Sequence, residues 1–290
     1  MRFLEASFLI AVLVVSVMAC AAEEKVVEIS SRGHLVRALE LIPEKPVAAV
    51  ILLAGGDGDL GLTRDGKIRT NLDNNQLVRS RQDYAKAGFA VLVPDRAADL
   101  KNNDRWRETA ANVEDLGAMV RHLRDIAQPV VIIGTSRGTL SAAMAVANLS
   151  GERRPDAMVL TSAFLSGNIP SVQRIADRRP ERLAVPTLVI GHRDDECRFT
   201  LPSYMETFRK WMAEAGQKVD VLTLSGGQRD PRVTNAKQSF LCSAAAPHGF
   251  PGLDDAVVSA VSDWIRGLGK YFRQEGSASH RYRVRSAHPS

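Results

Sequence analysis

Residues 129–143 read PVVIIGTSRGTLSAA, and at their centre Gly134-Thr135-Ser136-Arg137-Gly138 places a hydroxyl between two glycines. An apolar run precedes this pentapeptide and a small-residue helical pattern follows, so Ser136 falls at a strand-to-helix turn. Glycines permit a turn sharp enough to push the serine side chain outward. The start of the helix offers unpaired N–H groups and favours developing negative charge. In that setting G-x-S-x-G marks Ser136 as a nucleophile; a serine at an ordinary turn is the plainer alternative.

A serine hydroxyl needs a base, and the chain has six histidines. His34 opens an early strand, His122 lies within a helix, His192 closes a strand, and His280 and His288 sit near the C-terminus. His248 stands in PHGFPGLDD, between the last strand and the last helix, on the sheet edge from which Ser136 emerges. An imidazole acting as base needs a carboxylate to orient it and to stabilise its cation. HRDDEC supplies Asp194, Asp195 and Glu196, giving the chain order serine, acid, histidine. Spacing does not separate Asp194 from Asp195. A tetrahedral intermediate needs two N–H donors. The backbone of Arg137 is one, and Gly56 in Ala54-Gly55-Gly56-Asp57-Gly58 is the expected other. No Gly-Lys-Ser/Thr follows these glycines, so they do not form a phosphate loop. No His/Cys/Asp spacing resembles a metal-ligand set, and no cofactor motif is present.

Short apolar runs alternate with helical patterns and would position these groups. Strands are expected at 26–30, 34–41, 48–56, 90–95, 129–134, 157–164, 187–192 and 218–226. Helices are expected at 75–89, 107–127, 139–150, 201–216 and 251–268. Continuous apolar strands between helices mean an α/β fold with a mostly parallel sheet covered on both faces. The first two strands lack a helix between them and should pair antiparallel. Sites in such sheets form at the carboxyl ends of strands.

The chain has 290 residues, 45% of them apolar, and a net charge of +5. Of that charge, +3 belongs to the tail 273–290, with four arginines against one glutamate, so the body carries no nucleic-acid footprint. The tail is expected to be disordered. The N-terminus, MRFLEASFLIAVLVVSVMACAAEEK, has an early cation, an apolar run and small residues at Ala19-Cys20-Ala21. It reads as a signal peptide over 1–21, too short for a stable membrane span, and the protein as periplasmic or secreted. Val17-Met18-Ala19-Cys20 also fits a loose lipobox, with a lipid anchor at Cys20. Cys197 and Cys242 then remain, an even count that points to one disulfide in an exported protein. That bridge would tie the acid loop to the histidine loop.

LLAGGDGDL, GTSRGTLSA, HRDDEC and HGFPGLDDAVVSAVSDWI together resemble the α/β-hydrolase superfamily, small exported dienelactone-hydrolase-like members in particular, over residues 24–270. The resemblance implies a Ser136–Asp195–His248 triad, since the acid of such exported proteins commonly lies two residues before a cysteine. It implies an exported serine hydrolase that cleaves a small ester through an acyl-enzyme. A peptidase or amidase with the same triad, and a binding protein that has the fold without turnover, are the alternatives. A surface-anchored protein working through its basic tail is a further one. The usual His-Gly of the oxyanion loop is Ala54-Gly55 here. Arg137 places a cation beside the nucleophile, to attract an acidic group or to pair with a nearby carboxylate. The interval 165–185 leaves no room for a lid domain.

Overall fold

Strand residues that alternate between two apolar faces dictate the architecture. The computed structural model describes residues 22–165, 175, 179–228, 230–233 and 236–285. Eight strands form one sheet: β1 (Glu24–Ser31), β2 (His34–Leu41), β3 (Ala48–Leu53), β4 (Phe89–Pro94), β5 (Val130–Thr135), β6 (Ala157–Thr161), β7 (Thr187–His192) and β8 (Val219–Leu224). Their spatial order is β1-β2-β4-β3-β5-β6-β7-β8. β2 pairs antiparallel with β1 and with β4, and every pairing from β4 to β8 is parallel. The antiparallel first pair is as the sequence leads one to expect.

In β3, Ala49, Ile51 and Leu53 face one core, which also holds apolar residues of the helices α3 (Ala110–Arg124), α4 (Gly138–Asn148) and α5 (Ser203–Glu214). Ala48, Val50 and Leu52 face the other, with α1 (Gln76–Arg79), α2 (Arg81–Lys86) and α6 (Asp254–Arg285). β3, β5 and β6 are buried along their whole length. Each large side chain so placed contributes about 1.5–3 kcal/mol of transfer free energy. The carboxyl ends of these central strands form a rigid platform.

Three elements differ from expectation. The helix expected over 75–89 is two short ones, because Ser80 turns its hydroxyl back onto the Gln76 carbonyl (2.6 Å) and leaves helical geometry. The helix expected from residue 107 starts at Ala110. Thr109 is extended there and its hydroxyl accepts from the Asn112 N–H, a cap that fixes the first turn. The last helix, expected over 251–268, runs on to Arg285. That extension has no proline and includes helix-favouring Gln274, Glu275 and Ala278. The expected signal segment 1–21 with Cys20, and residues 166–174 and 176–178 of the interval 165–185, lie outside the described residues. Among those described, no helix is long and apolar enough to cross a membrane.

Candidate active site

Ser136 stands directly beyond β5 with φ +52°, a left-handed conformation that a non-glycine residue adopts at a cost. The surroundings hold it there. Its N–H donates to the Thr161 carbonyl (3.0 Å), prolonging the β5–β6 ladder by one bond, and its carbonyl accepts from the N–H and the hydroxyl of Thr139. A Cβ on Gly138 would lie 2.2 Å from the Leu53 carbonyl oxygen, and one on Gly134 2.6 Å from that of Gly138. Strand end, turn and helix start therefore touch backbone to backbone, which is why both flanking residues are glycines. The side chain of Arg137 is exposed and donates to the Asp104 carbonyl (3.2 Å); among the described residues it meets no carboxylate.

His248 arrives from much farther along the chain. It sits in a single turn (Pro247–Gly249) after β8, the edge strand, and is carried back over the middle of the sheet. Two contacts bring it there. The Ser162 hydroxyl, next to the end of β6, donates to the His248 carbonyl (2.7 Å). Arg79 of α1 donates to the carbonyls of Gly249 (2.7 Å) and Phe250 (3.3 Å) and pairs with Asp254 (2.9 Å). Neither anchor has a signature in the sequence.

The imidazole Nδ1 lies 3.1 Å from Asp195 Oδ2, and both side chains are buried. The other carboxylate oxygen accepts from the Cys197 N–H (2.9 Å). Thr200 completes the group: its hydroxyl donates to Asp195 Oδ2 (2.9 Å) and lies 3.0 Å from His248 Nδ1. Asp194, the alternative left open by spacing, points outward and pairs with Arg193 (3.1 Å). Adjacent residues in a turn face opposite ways, and only the fold selects between them. His192 helps set that turn. Its Nδ1 accepts from the Asp194 N–H (3.0 Å) and its Nε2 meets the Gly226 carbonyl (3.1 Å).

Cys197 and Cys242 form a disulfide (S–S 2.05 Å, Cα–Cα 4.8 Å). It closes a loop across a sequence separation of 45, which stabilises the fold by about 4 kcal/mol on a chain-entropy account. It joins the segment carrying Asp195 to the one leading into His248. Among the described residues, the one group with metal-like proximity is Asp195, Cys197 and His248, and Cys197 Sγ is committed to this bridge.

Ser136 and His248 line one cleft of about 350 Å³ together with Gly55, Gly56 and Asp57. Among the described residues no hydrogen bond joins the two side chains; such contacts tighten when substrate binds. The loop after β3 presses against the serine, since a Cβ on Gly55 would come within 3.0 Å of Ser136 Cβ. The backbone N–H groups of Gly56 and Arg137 have no acceptor among the described residues. Asn71, Asn75, Gln76, Ser239 and Ser243 supply the remaining polar wall.

Neither a protein-family model nor any curated protein sequence matches the chain. Its structure is similar to solved ones. A dienelactone hydrolase from Anabaena variabilis aligns at TM-score 0.56 and 16% identity, covering 86% of this chain and 99% of that one. A sugar hydrolase from Lactococcus lactis aligns at TM-score 0.57 and 15% identity, with the same coverage of 86% and 99%. A puromycin-hydrolyzing peptidase from Mycobacterium tuberculosis aligns at TM-score 0.52 and 16% identity, covering 80% of this chain and 39% of that one. The architecture they share is the α/β-hydrolase fold, and this chain has it.

Proposed function

We propose that this protein of α/β-hydrolase fold is an exported serine hydrolase, acting on carboxylic-ester bonds of small substrates through an acyl-enzyme. The observation that carries the reading is the buried Asp195–His248 pair facing the cleft that Ser136 also lines. In the first half-reaction Ser136 Oγ attacks the substrate carbonyl carbon, and its proton passes to His248 Nε2. The resulting imidazolium keeps its Nδ1–H directed at the Asp195 carboxylate, while the Gly56 and Arg137 N–H groups receive the oxyanion. The intermediate collapses, the alcohol leaves with the proton from His248, and the acyl group stays on Ser136. Water then attacks the acyl carbon with His248 again as base, which releases the acid and restores the serine.

The amides and hydroxyls lining the cleft suit a compact, hydrogen-bonding substrate better than a long acyl chain. An export route fits the disulfide, since such bridges persist in oxidising compartments. No cofactor is needed for these steps. An amidase or peptidase would use the same residues, so the test pairs matched substrates. Wild type and Ser136→Ala are assayed on short-chain p-nitrophenyl esters and the corresponding anilides. Ester turnover that Ser136→Ala abolishes supports the reading, and preferential anilide turnover moves it to the amidase. A folded wild type without turnover on either class makes it a binding protein. The mature N-terminus, read by mass spectrometry, separates cleavage near Ala21 from a lipid on Cys20.

A further inference from the structure

The loop after β3 has a second face, turned away from the cleft. There one dipeptide, Trp106-Arg107, captures four successive carbonyl oxygens. Arg107 Nη2 donates to Ala54 (2.8 Å), Gly55 (3.1 Å) and Gly56 (3.3 Å), and Trp106 Nε1 donates to Asp57 (2.9 Å). The guanidinium lies 4.5 Å over the Trp106 ring and is almost wholly buried. Gly58 leaves the space for it: a Cβ there would meet Arg107 Nη2 at 2.5 Å and Trp106 Cζ2 at 2.6 Å. The Arg107 backbone is fixed in turn, its carbonyl accepting from Asn112 Nδ2 (2.9 Å).

This arrangement is expensive in isolation. Among the described residues Arg107 has no ion-pair partner, and its Nε has no acceptor. Burial, followed by the nearby charge of Arg137, pushes its pKa down to about 9. An apolar side chain of similar size would fill the space without that cost. The three bonds to the loop all leave one nitrogen, Nη2, while Nη1 reaches the Ser141 hydroxyl (3.3 Å), so the planar guanidinium holds that nitrogen in a fixed place over the loop. Across a trans peptide the carbonyl of one residue and the N–H of the next point in opposite directions. Carbonyls of Ala54, Gly55 and Gly56 turned toward Arg107 therefore turn the N–H groups of Gly55, Gly56 and Asp57 the other way. The loop's other side is the cleft wall shared with Ser136. A cation on the carbonyl side also polarises each peptide, making its N–H a stronger donor.

We propose that Arg107, assisted by Trp106, is the positioning residue of the oxyanion site: it fixes and polarises the peptides whose N–H groups would receive the substrate's developing negative charge. This rests on the serine-hydrolase reading. Arg107 touches no substrate and acts through the loop.

The test compares wild type, Arg107→Met, Arg107→Lys and Trp106→Phe. It reads kcat and KM on an activated ester, thermal midpoints, and inhibition by a trifluoromethyl ketone, which binds serine hydrolases as a tetrahedral oxyanion adduct. The expected result for Arg107→Met is a fall in kcat of about a hundredfold, the range for losing an oxyanion donor, with KM within about threefold. The ketone should weaken by the same factor as kcat/KM. Arg107→Lys, a point charge without the fork, should fall between wild type and Arg107→Met. Should Arg107→Met not fold, Trp106→Phe removes only the bond to Asp57, and its expected loss is several-fold in kcat and in ketone affinity together. A folded Arg107→Met or Trp106→Phe with undiminished kcat and ketone affinity would reduce the dipeptide to a tether and overturn the proposal. A wild type that neither turns over esters nor binds the ketone would remove the underlying reading, a failure visible without any variant.

Discussion

The turn at Ser136 and the Asp195–His248 arm meet at one cleft but are held by different means. Ser136 is set by its immediate neighbours: a strand end, two glycines that admit no Cβ, and the first turn of α4. Asp195 and His248 stand 53 residues apart on segments with little regular structure. They are brought together by a disulfide, the Thr200 hydroxyl, the Ser162 hydroxyl and Arg79. The first region is steric and local. The second is a set of cross-links, each replaceable in principle without disturbing the sheet. Changes at the turn should therefore cost the fold, and, the bridge apart, changes on the arm should cost activity.

The sharpest way to break this contrast is Gly138→Ala. The new methyl would meet the Leu53 carbonyl at 2.2 Å, backbone that cannot give way cheaply. We expect loss of soluble folded protein, or destabilisation of at least about 3 kcal/mol by thermal and urea unfolding. A Gly138→Ala protein that folds normally would mean that the turn is not sterically set. Next comes Asp195→Asn, which keeps shape and burial. Its kcat should fall about ten-thousand-fold with the fold intact by circular dichroism, whereas Asp194→Asn, on the exposed neighbour, should stay within about twofold. Equal losses would show that the arm does not distinguish the two acids.

Removing the bridge with Cys197→Ser and Cys242→Ser should lower unfolding free energy by about 4 kcal/mol, the chain-entropy value for this loop, measured by urea titration. Activity should fall more steeply with temperature than in wild type, since the bridge restrains the arm and not the sheet. Among the changes expected to cost activity, the smallest effect is at Thr200→Val. One hydrogen bond to a charged carboxylate is worth about 1.5 kcal/mol, so kcat should drop about tenfold with KM nearly unchanged.

The same division decided what could be read from the sequence. The turn was legible because its determinants are contiguous: five residues, an apolar strand before them and small residues after. β2 and β7 fall at the expected residues for the same reason, since strand periodicity is a local property. The disulfide was legible by elimination, as two cysteines remain beyond the N-terminal segment. Asp195 against Asp194 was not, because neighbouring residues have equal spacing to everything else. Thr200, Ser162, Arg79 and the Trp106-Arg107 pair carried no signal at all. Each is a single polar residue whose partner lies at a distance in the chain that no periodicity encodes. The break at Ser80 has no local signature, because one hydroxyl bond to the Gln76 carbonyl outweighs an otherwise helical pattern.

The central claim is that Ser136 is an activated nucleophile and that His248 activates it. Labelling the folded, mature protein with a fluorophosphonate and locating the adduct by peptide mass spectrometry tests this directly. The account predicts a single adduct on the peptide containing Ser136, none in Ser136→Ala, and labelling slowed by about a thousandfold or more in His248→Ala. A folded wild type that takes no label, or a His248→Ala protein that labels as fast as wild type, would contradict it.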